Sequence, residues 1–178
     1  GGNLRADIAE GTFGAEALAE VLPFPNKVAV VYMTGAQLLE TLEAASQGLP
    51  YTAETADACA SLMQVSGLTY AVDTTKAYDA LEAYGDHWFT AGSVSRVRID
   101  DVNGQPFDAE ATYAVVTSNA NFNGMDSSYV LKAAAEANEQ SAVTTAVVRD
   151  VVFRFIAAEL NHQVGEAYAA PQGRLTIL

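Results

Sequence analysis

The segment KVAVVYMTGAQLLETLEAASQG, Lys27–Gly48, changes its hydrophobic period partway along, and that change sets the fold class. Its first seven residues, Lys27–Met33, are rich in β-branched side chains and nearly all apolar, which predicts a strand buried on both faces. Thr34 then stands where a helix N-cap belongs. Leu38, Leu39, Leu42 and Ala45 fall on one helical face, and Gly48 closes the helix. Upstream, Thr12–Leu22 reads as a short helix capped by Thr12 and stopped by Pro23. Downstream, Leu62–Asp73 alternates enough for a strand, with Gly67 as a bulge or close approach. Val94–Asp100 alternates cleanly and Asn103-Gly104 signals a tight turn. Thr112–Asn119 is a further buried strand. After the polar stretch NANFNGMDSSY (Asn119–Tyr129) two helices are expected, VLKAAAEAN and then Thr144–Asn161, before a closing strand, RLTIL. Lys76–Gly92 fits neither neighbouring strand and reads as a partly helical surface excursion. Hairpin-type neighbours without strict strand–helix alternation favour α+β over a doubly wound sheet.

Composition narrows the function. The 178 residues are 50% hydrophobic and 17% charged, enough for one domain, 1–178, with a sizeable core. A formal charge of -13 argues against a nucleic-acid polymer or an anionic membrane surface as the main partner. A small anion remains compatible, because one well-placed arginine can dominate locally. No apolar run reaches about 18 residues, so no membrane span is expected. The single cysteine, Cys59, allows no internal disulfide and reads as a small buried hydrophobe. The chain starts without methionine or a signal-peptide pattern and is read as a piece of something longer, truncated at its N-terminal edge.

Catalytic constellations are thin. His87 and His162 are the only histidines, and no metal-ligand spacing, nucleophile elbow or P-loop occurs. Trp88 beside His87 reads as a partner-binding tip or as a packed flap. Three polar-aromatic spots stand out. In GGNLRAD, Arg5 follows a glycine pair, so amides and a guanidinium can meet an anion together; the plainer alternative is an exposed arginine. In LPFPN, Phe24 between two prolines is either a packing residue at a corner or a ring held out for a ligand. NANFNGMDSSY is either a functional loop or a solvated turn cluster.

These spots occur in order with five longer segments: GGNLRADIAEG, VLPFPNKVAVVYMTGAQL, MQVSGLTYAVD, VNGQPFDAEATYAVVTSN and PQGRLTIL. Together they resemble the C-terminal domain of 5'-nucleotidases, a family that includes bacterial UDP-sugar hydrolases and 2',3'-cyclic-nucleotide phosphodiesterases. The resemblance implies layered helices with mixed and antiparallel sheets. It also implies a division of labour. An N-terminal metallophosphoesterase domain holds two divalent metal ions, and the C-terminal domain holds a nucleotide or nucleoside; this chain alone is then expected to be inactive and to need no cofactor of its own. Arg5 matches the arginine that contacts phosphate or ribose, and Asn3 stands in that motif where a small residue is usual. Phe24 matches the first of two base-stacking rings. Asn26 matches an asparagine that bonds the base edge, and Asp126 the aspartate that takes ribose hydroxyls. The second ring would fall at Ala120; Phe122, two residues on, is the ring of this loop left for that face. Met125, Ser127 and Pro25 replace usual glycines. Family members are mostly exported, which implies an extracellular, periplasmic or cell-wall location. These departures keep a second expectation in play, a non-catalytic ligand-binding or interaction module derived from the family.

Overall fold

The computed structural model describes residues 4–55, 61–85 and 88–178; Asn3, Cys59 and His87 lie outside them. In chain order the elements are α1 (Ala15–Val21), β1 (Lys27–Thr34), α2 (Gly35–Ala45), β2 (Leu68–Val72), β3 (Ala80–Ala83), β4 (Phe89–Ala91), β5 (Val97–Val102), β6 (Gln105–Pro106), β7 (Thr112–Ser118), α3 (Asn119–Phe122), α4 (Tyr129–Ala137), β8 (Ala142–Val147), α5 (Val148–Ala158) and β9 (Leu175–Ile177). Helices and mixed or antiparallel sheets are therefore combined as expected. The first sheet runs β7-β1-β8, antiparallel throughout; the second runs β6-β5-β2-β9, with β9 parallel to β2; β3 and β4 form a hairpin of their own.

The opening segment forms the expected strand and helix, but β1 is fully buried on one face only, with Val28, Val30 and Tyr32 half-buried on the other. Ala29, Val31 and Met33 of β1 are buried, and Thr34 caps α2 in a full capping box: its hydroxyl accepts from the Gln37 amide while Gln37 Oε1 accepts from the Thr34 amide. Gly48 does not close the helix. It ends at Ala45, with Ser46 donating back to Leu42 and Glu43. Gly35 is required at the first turn, because a Cβ there would lie 2.1 Å from the Asp108 carbonyl oxygen. That close approach lets Gly35 and Ala36 donate to the Ala111 and Ala109 carbonyls, docking α2 on the entry to β7. α2 packs on β1 and β7 of the first sheet and on β5 of the second. Leu38 and Leu42 enter one core with Val31, Met33, Tyr70, Val72, Ile99, Val130 and Leu131. Each large apolar side chain so buried contributes on the order of 1.5–3 kcal/mol.

Further expectations are corrected. Thr112–Ser118 forms β7 but is not a buried strand: none of its residues is buried, and Val116 is exposed. The helix expected over Thr144–Asn161 begins only at Val148; residues 142–147 form β8, a stretch rich in β-branched residues in which Ala142, Val143 and Val147 pair with β1 across a register shift. The excursion 76–92 is the β3–β4 hairpin around Gly85 (φ +83°), where cross-strand pairing overrides the helix propensity of an Ala/Leu/Glu run. Of the two readings of Gly67, close approach holds and strand bulge does not: it turns the chain (φ +81°) ahead of a β2 that starts only at Leu68, and a Cβ there would lie 2.9 Å from Asn103 Oδ1; the irregularity lies at Thr69/Tyr70. The first helix starts at Ala15 with Gly14, not Thr12, at its N-cap. The Asn103-Gly104 turn is as expected, with φ of 53° and 74° in the β5–β6 hairpin.

Candidate functional site

Pro23 and Pro25 have no N–H to give and flank Phe24 at a bend between α1 and β1, where the residue is 43% exposed. Backbone bonds fix that corner on both sides. The Arg5 amide donates to the Val21 carbonyl (3.0 Å), and the Val148 amide donates to the Asn26 carbonyl (2.8 Å). Pinned to the end of α1, Arg5 lays its guanidinium over the Phe24 ring, 5.4 Å from the centroid, a cation–π contact worth about 0.5–1 kcal/mol at an exposed site. No aromatic ring among the described residues stacks on Phe24. Its ring borders a small cleft of about 70 Å³ shared with Leu22, Asn26, Ser118, Val148 and Arg149. The Asn26 side-chain amide makes no hydrogen bond among the described residues, and neither Arg5 nor Arg149 forms an ion pair there. In a chain of net charge -13, two unpaired arginines beside one exposed ring make a local cationic spot.

The polar stretch 119–129 holds a short helix rather than a plain loop. Ser118 caps α3 by accepting from the Asn121 amide, and Asn119 Oδ1 accepts from the Lys27 amide (2.7 Å), tying this loop to the Phe24 corner. Gly124 (φ +83°) and Asp126 (φ +54°) then turn the chain into α4. Asp126 is exposed, its carboxylate unbonded among the described residues. With Asn121 and Ser128 it lines a cavity of about 970 Å³ running along β7 and residues 61–68. Leu4, next to Arg5 in the chain, lines the same cavity.

The structure thus gathers Arg5, Phe24 and Asn26 at one corner and brings Asp126 to a cavity that this corner borders through Leu4. Phe122 does not face Phe24: it is half-buried and packed on the core. Asn3 is outside the described residues. Sequence reasoning missed Ser118 and Arg149, which reach the cleft only through β7 pairing with β1 and the β8-to-α5 turn.

The hairpin is bound to this region. Tyr84 donates from its hydroxyl to the Gly124 carbonyl (2.8 Å), and its ring lies 5.7 Å from that of Tyr129. Tyr129 Oη accepts from the Ala91 amide (3.0 Å) and donates to Glu40 Oε1 (2.8 Å). Burial, aided by the bond to Glu40, pushes the Tyr129 hydroxyl up to about 12, so it remains a neutral donor at ordinary pH. Among the described residues no three His, Cys, Asp or Glu side chains converge to hold a metal ion, and no helix is long and apolar enough to cross a membrane.

Residues 1–133 match the family described as the 5'-nucleotidase C-terminal domain. The 5'-nucleotidase precursor of Thermus thermophilus is 30% identical over 99% of this chain, with a TM-score of 0.73. The NAD nucleotidase of Haemophilus influenzae aligns over 99% at 18% identity, with a TM-score of 0.67. A 5'-nucleotidase homologue from Staphylococcus aureus aligns over 90% at 16%, with a TM-score of 0.55. At those lower identities the likeness is one of fold. This chain spans about 30% of the length of each of these proteins. No curated protein matches it.

Proposed function

Because the chain belongs to the family of 5'-nucleotidase C-terminal domains, we propose that it is the substrate-holding and specificity domain of a two-domain, metal-dependent nucleotide phosphohydrolase. The carrying observation is the corner itself: an exposed ring, an arginine guanidinium lying on it and an unengaged Asn26 amide, with Asp126 on the adjoining cavity. In this reading a base stacks on Phe24 and Asn26 bonds its edge. Arg5 leaves the ring for the phosphate or ribose, and Asp126 accepts the ribose hydroxyls. Orientation is the domain's contribution to rate. Phosphate-ester cleavage belongs to a metallophosphoesterase domain of the same parent protein. That domain's two divalent ions would activate water and clamp phosphoryl oxygens. This chain's described residues provide no ligand set for them, and none of the steps assigned here runs through a metal. An exported setting, extracellular, periplasmic or cell-wall-associated, belongs to the same reading and rests on the family alone.

One observation favours a second reading. Ala120 stands where a second ring is usual, and Phe122 is packed on the core. A site with one ring suits a non-catalytic ligand-binding module derived from the family.

NMR titration of the chain with a nucleoside and nucleotide panel tests the proposal. Shifts are expected at Phe24, Arg5 and Asn26, and Phe24→Ala is expected to weaken binding about tenfold to a hundredfold, the value of one stacking contact. A panel that leaves Phe24 unmoved sinks it. Nucleotide hydrolysis by the parent protein, lost together with binding in Phe24→Ala, selects the enzyme over the module.

A further inference from the structure

We infer that the β3–β4 hairpin is a positioning element for the Asp126 turn, with Tyr84 as the residue through which it acts. This inference rests on the proposed nucleotide-binding reading and adds a residue that the reading does not contain.

The turn passes twice through the left-handed region, at Gly124, which enters it freely, and at Asp126, which enters it more readily than most side-chain-bearing residues. Asp126 sits at φ +54°, two residues after a glycine at φ +83°. Local bonds fold the segment: Met125 donates to the Ala120 carbonyl and Ser128 to that of Met125. Buried Ser127 and Ser128 seat it on the molecule, and Tyr84 ties it to the hairpin, its hydroxyl capping the Gly124 carbonyl. The fit is close. A Cβ on Gly124 would come within 2.3 Å of that hydroxyl and within 3.0 Å of the Lys132 side chain, so the glycine serves the contact as well as the positive φ.

The hairpin is itself held at several points, as a positioning element must be. The Phe89 amide donates to Gln47 Oε1 (3.0 Å) beyond the end of α2, and the Ala91 amide donates to Tyr129 Oη, which is bonded in turn to Glu40 of α2. Tyr78 closes the hairpin by donating to the Phe89 carbonyl (2.7 Å). The outer strand β3 is exposed along its length, while Tyr78, Tyr84 and Trp88 are half-buried, so these side chains and the polar ties to α2, Tyr129 and Gly124 together place the hairpin. A carboxylate that must meet two ribose hydroxyls needs its backbone held to a fraction of an ångström, and a neighbouring rigid element supplies that.

Tyr84→Phe removes the hydroxyl and keeps the ring on Tyr129. Two readouts separate positioning from plain packing. The first needs no ligand: hydrogen exchange at the amides of residues 123–128 is expected to quicken about two- to tenfold in Tyr84→Phe, while α2 and β1 stay protected, the span of one neutral hydrogen bond. The second is the affinity of the chain for a nucleoside monophosphate relative to its 2',3'-dideoxy counterpart. That ratio is expected to fall about two- to tenfold in Tyr84→Phe through the ribonucleotide alone, and to approach one in Asp126→Ala. Gly124→Ala, which pushes the hydroxyl away, is expected to lower the ratio similarly. Unchanged exchange, or a ratio equal to that of the unmodified chain, overturns the inference while leaving the proposed function standing. If the unmodified chain binds no nucleotide, the proposed function falls and takes the ribose role with it. Exchange in Tyr84→Phe then decides only whether the hairpin holds the turn.

Discussion

Glu43 has no exposed surface, yet its carboxylate is fully engaged: it accepts from the Arg96 amide at 3.2 and 3.0 Å and from the Val97 amide at 2.9 Å. Arg96, also buried, turns its guanidinium the other way and caps the Ser46 and Leu49 carbonyls. The pair thereby clamps the end of α2 to the start of β5. Glu43→Ala leaves two buried amides without acceptors and an uncompensated arginine, so a loss of about 3–5 kcal/mol is expected, measured by urea unfolding. Nothing in LLETLEAASQ marks Glu43 for this role. It reads as one more polar position of a helix, and only the packing of α2 between two sheets buries it. Phe24 and Arg5 are different: their residue types attract notice in the sequence, but that the guanidinium lies on the ring depends on the Arg5 amide reaching Val21.

At the scale of elements, signals that act over a few residues were readable. The Thr34 N-cap and the Asn103-Gly104 turn each need only neighbours in the chain and form as expected, though the Thr12 cap and the Gly48 stop, equally local, do not. Elements decided by distant partners were not. Residues 142–147 become a strand because β1 has a free edge for them, and 80–83 become a strand because 89–91 pair with them. Gly35 shows how strongly a distant partner can constrain one position. It looks like an ordinary, slightly weak helix start, yet the Asp108 carbonyl occupies the space of its missing side chain. Gly35→Ala is expected to cost about 2 kcal/mol or more despite alanine's better helix propensity, because backbone rather than a movable side chain stands in the way. Thermal unfolding checks this; a variant as stable as the parent chain contradicts the docking of α2 on residues 108–111.

For the whole molecule, fold class and family were legible from ordered motifs, and the candidate site only from resemblance, since it assembles residues from both ends of the chain. The same assembly has a pH consequence. Burial raises the hydroxyl pKa of Tyr70, Tyr78 and Tyr129 above the ordinary 10.0, Tyr129 to about 12. A group whose folded pKa is raised contributes its stability fully below the unfolded value and loses it as pH rises towards the folded one. Stability is therefore expected to hold up to about pH 10 and to fall steeply above it. These three tyrosines should ionise only together with loss of circular dichroism. Ionisation of all tyrosines near pH 10 with the dichroism intact would contradict this.

The parallel seating of β9 on β2 also bears on how the protein is made. Tyr70, Ala71 and Val72 find their partners at Leu175, Thr176 and Ile177, and Thr74 caps the Leu178 carbonyl across a separation of 104 residues. At a synthesis rate of roughly 5–20 residues per second, β2 leaves the ribosome roughly 5–20 s before that partner exists. Through that interval an apolar strand waits with one edge unpaired, open to other nascent chains and to chaperones, and the second sheet closes only as a late event.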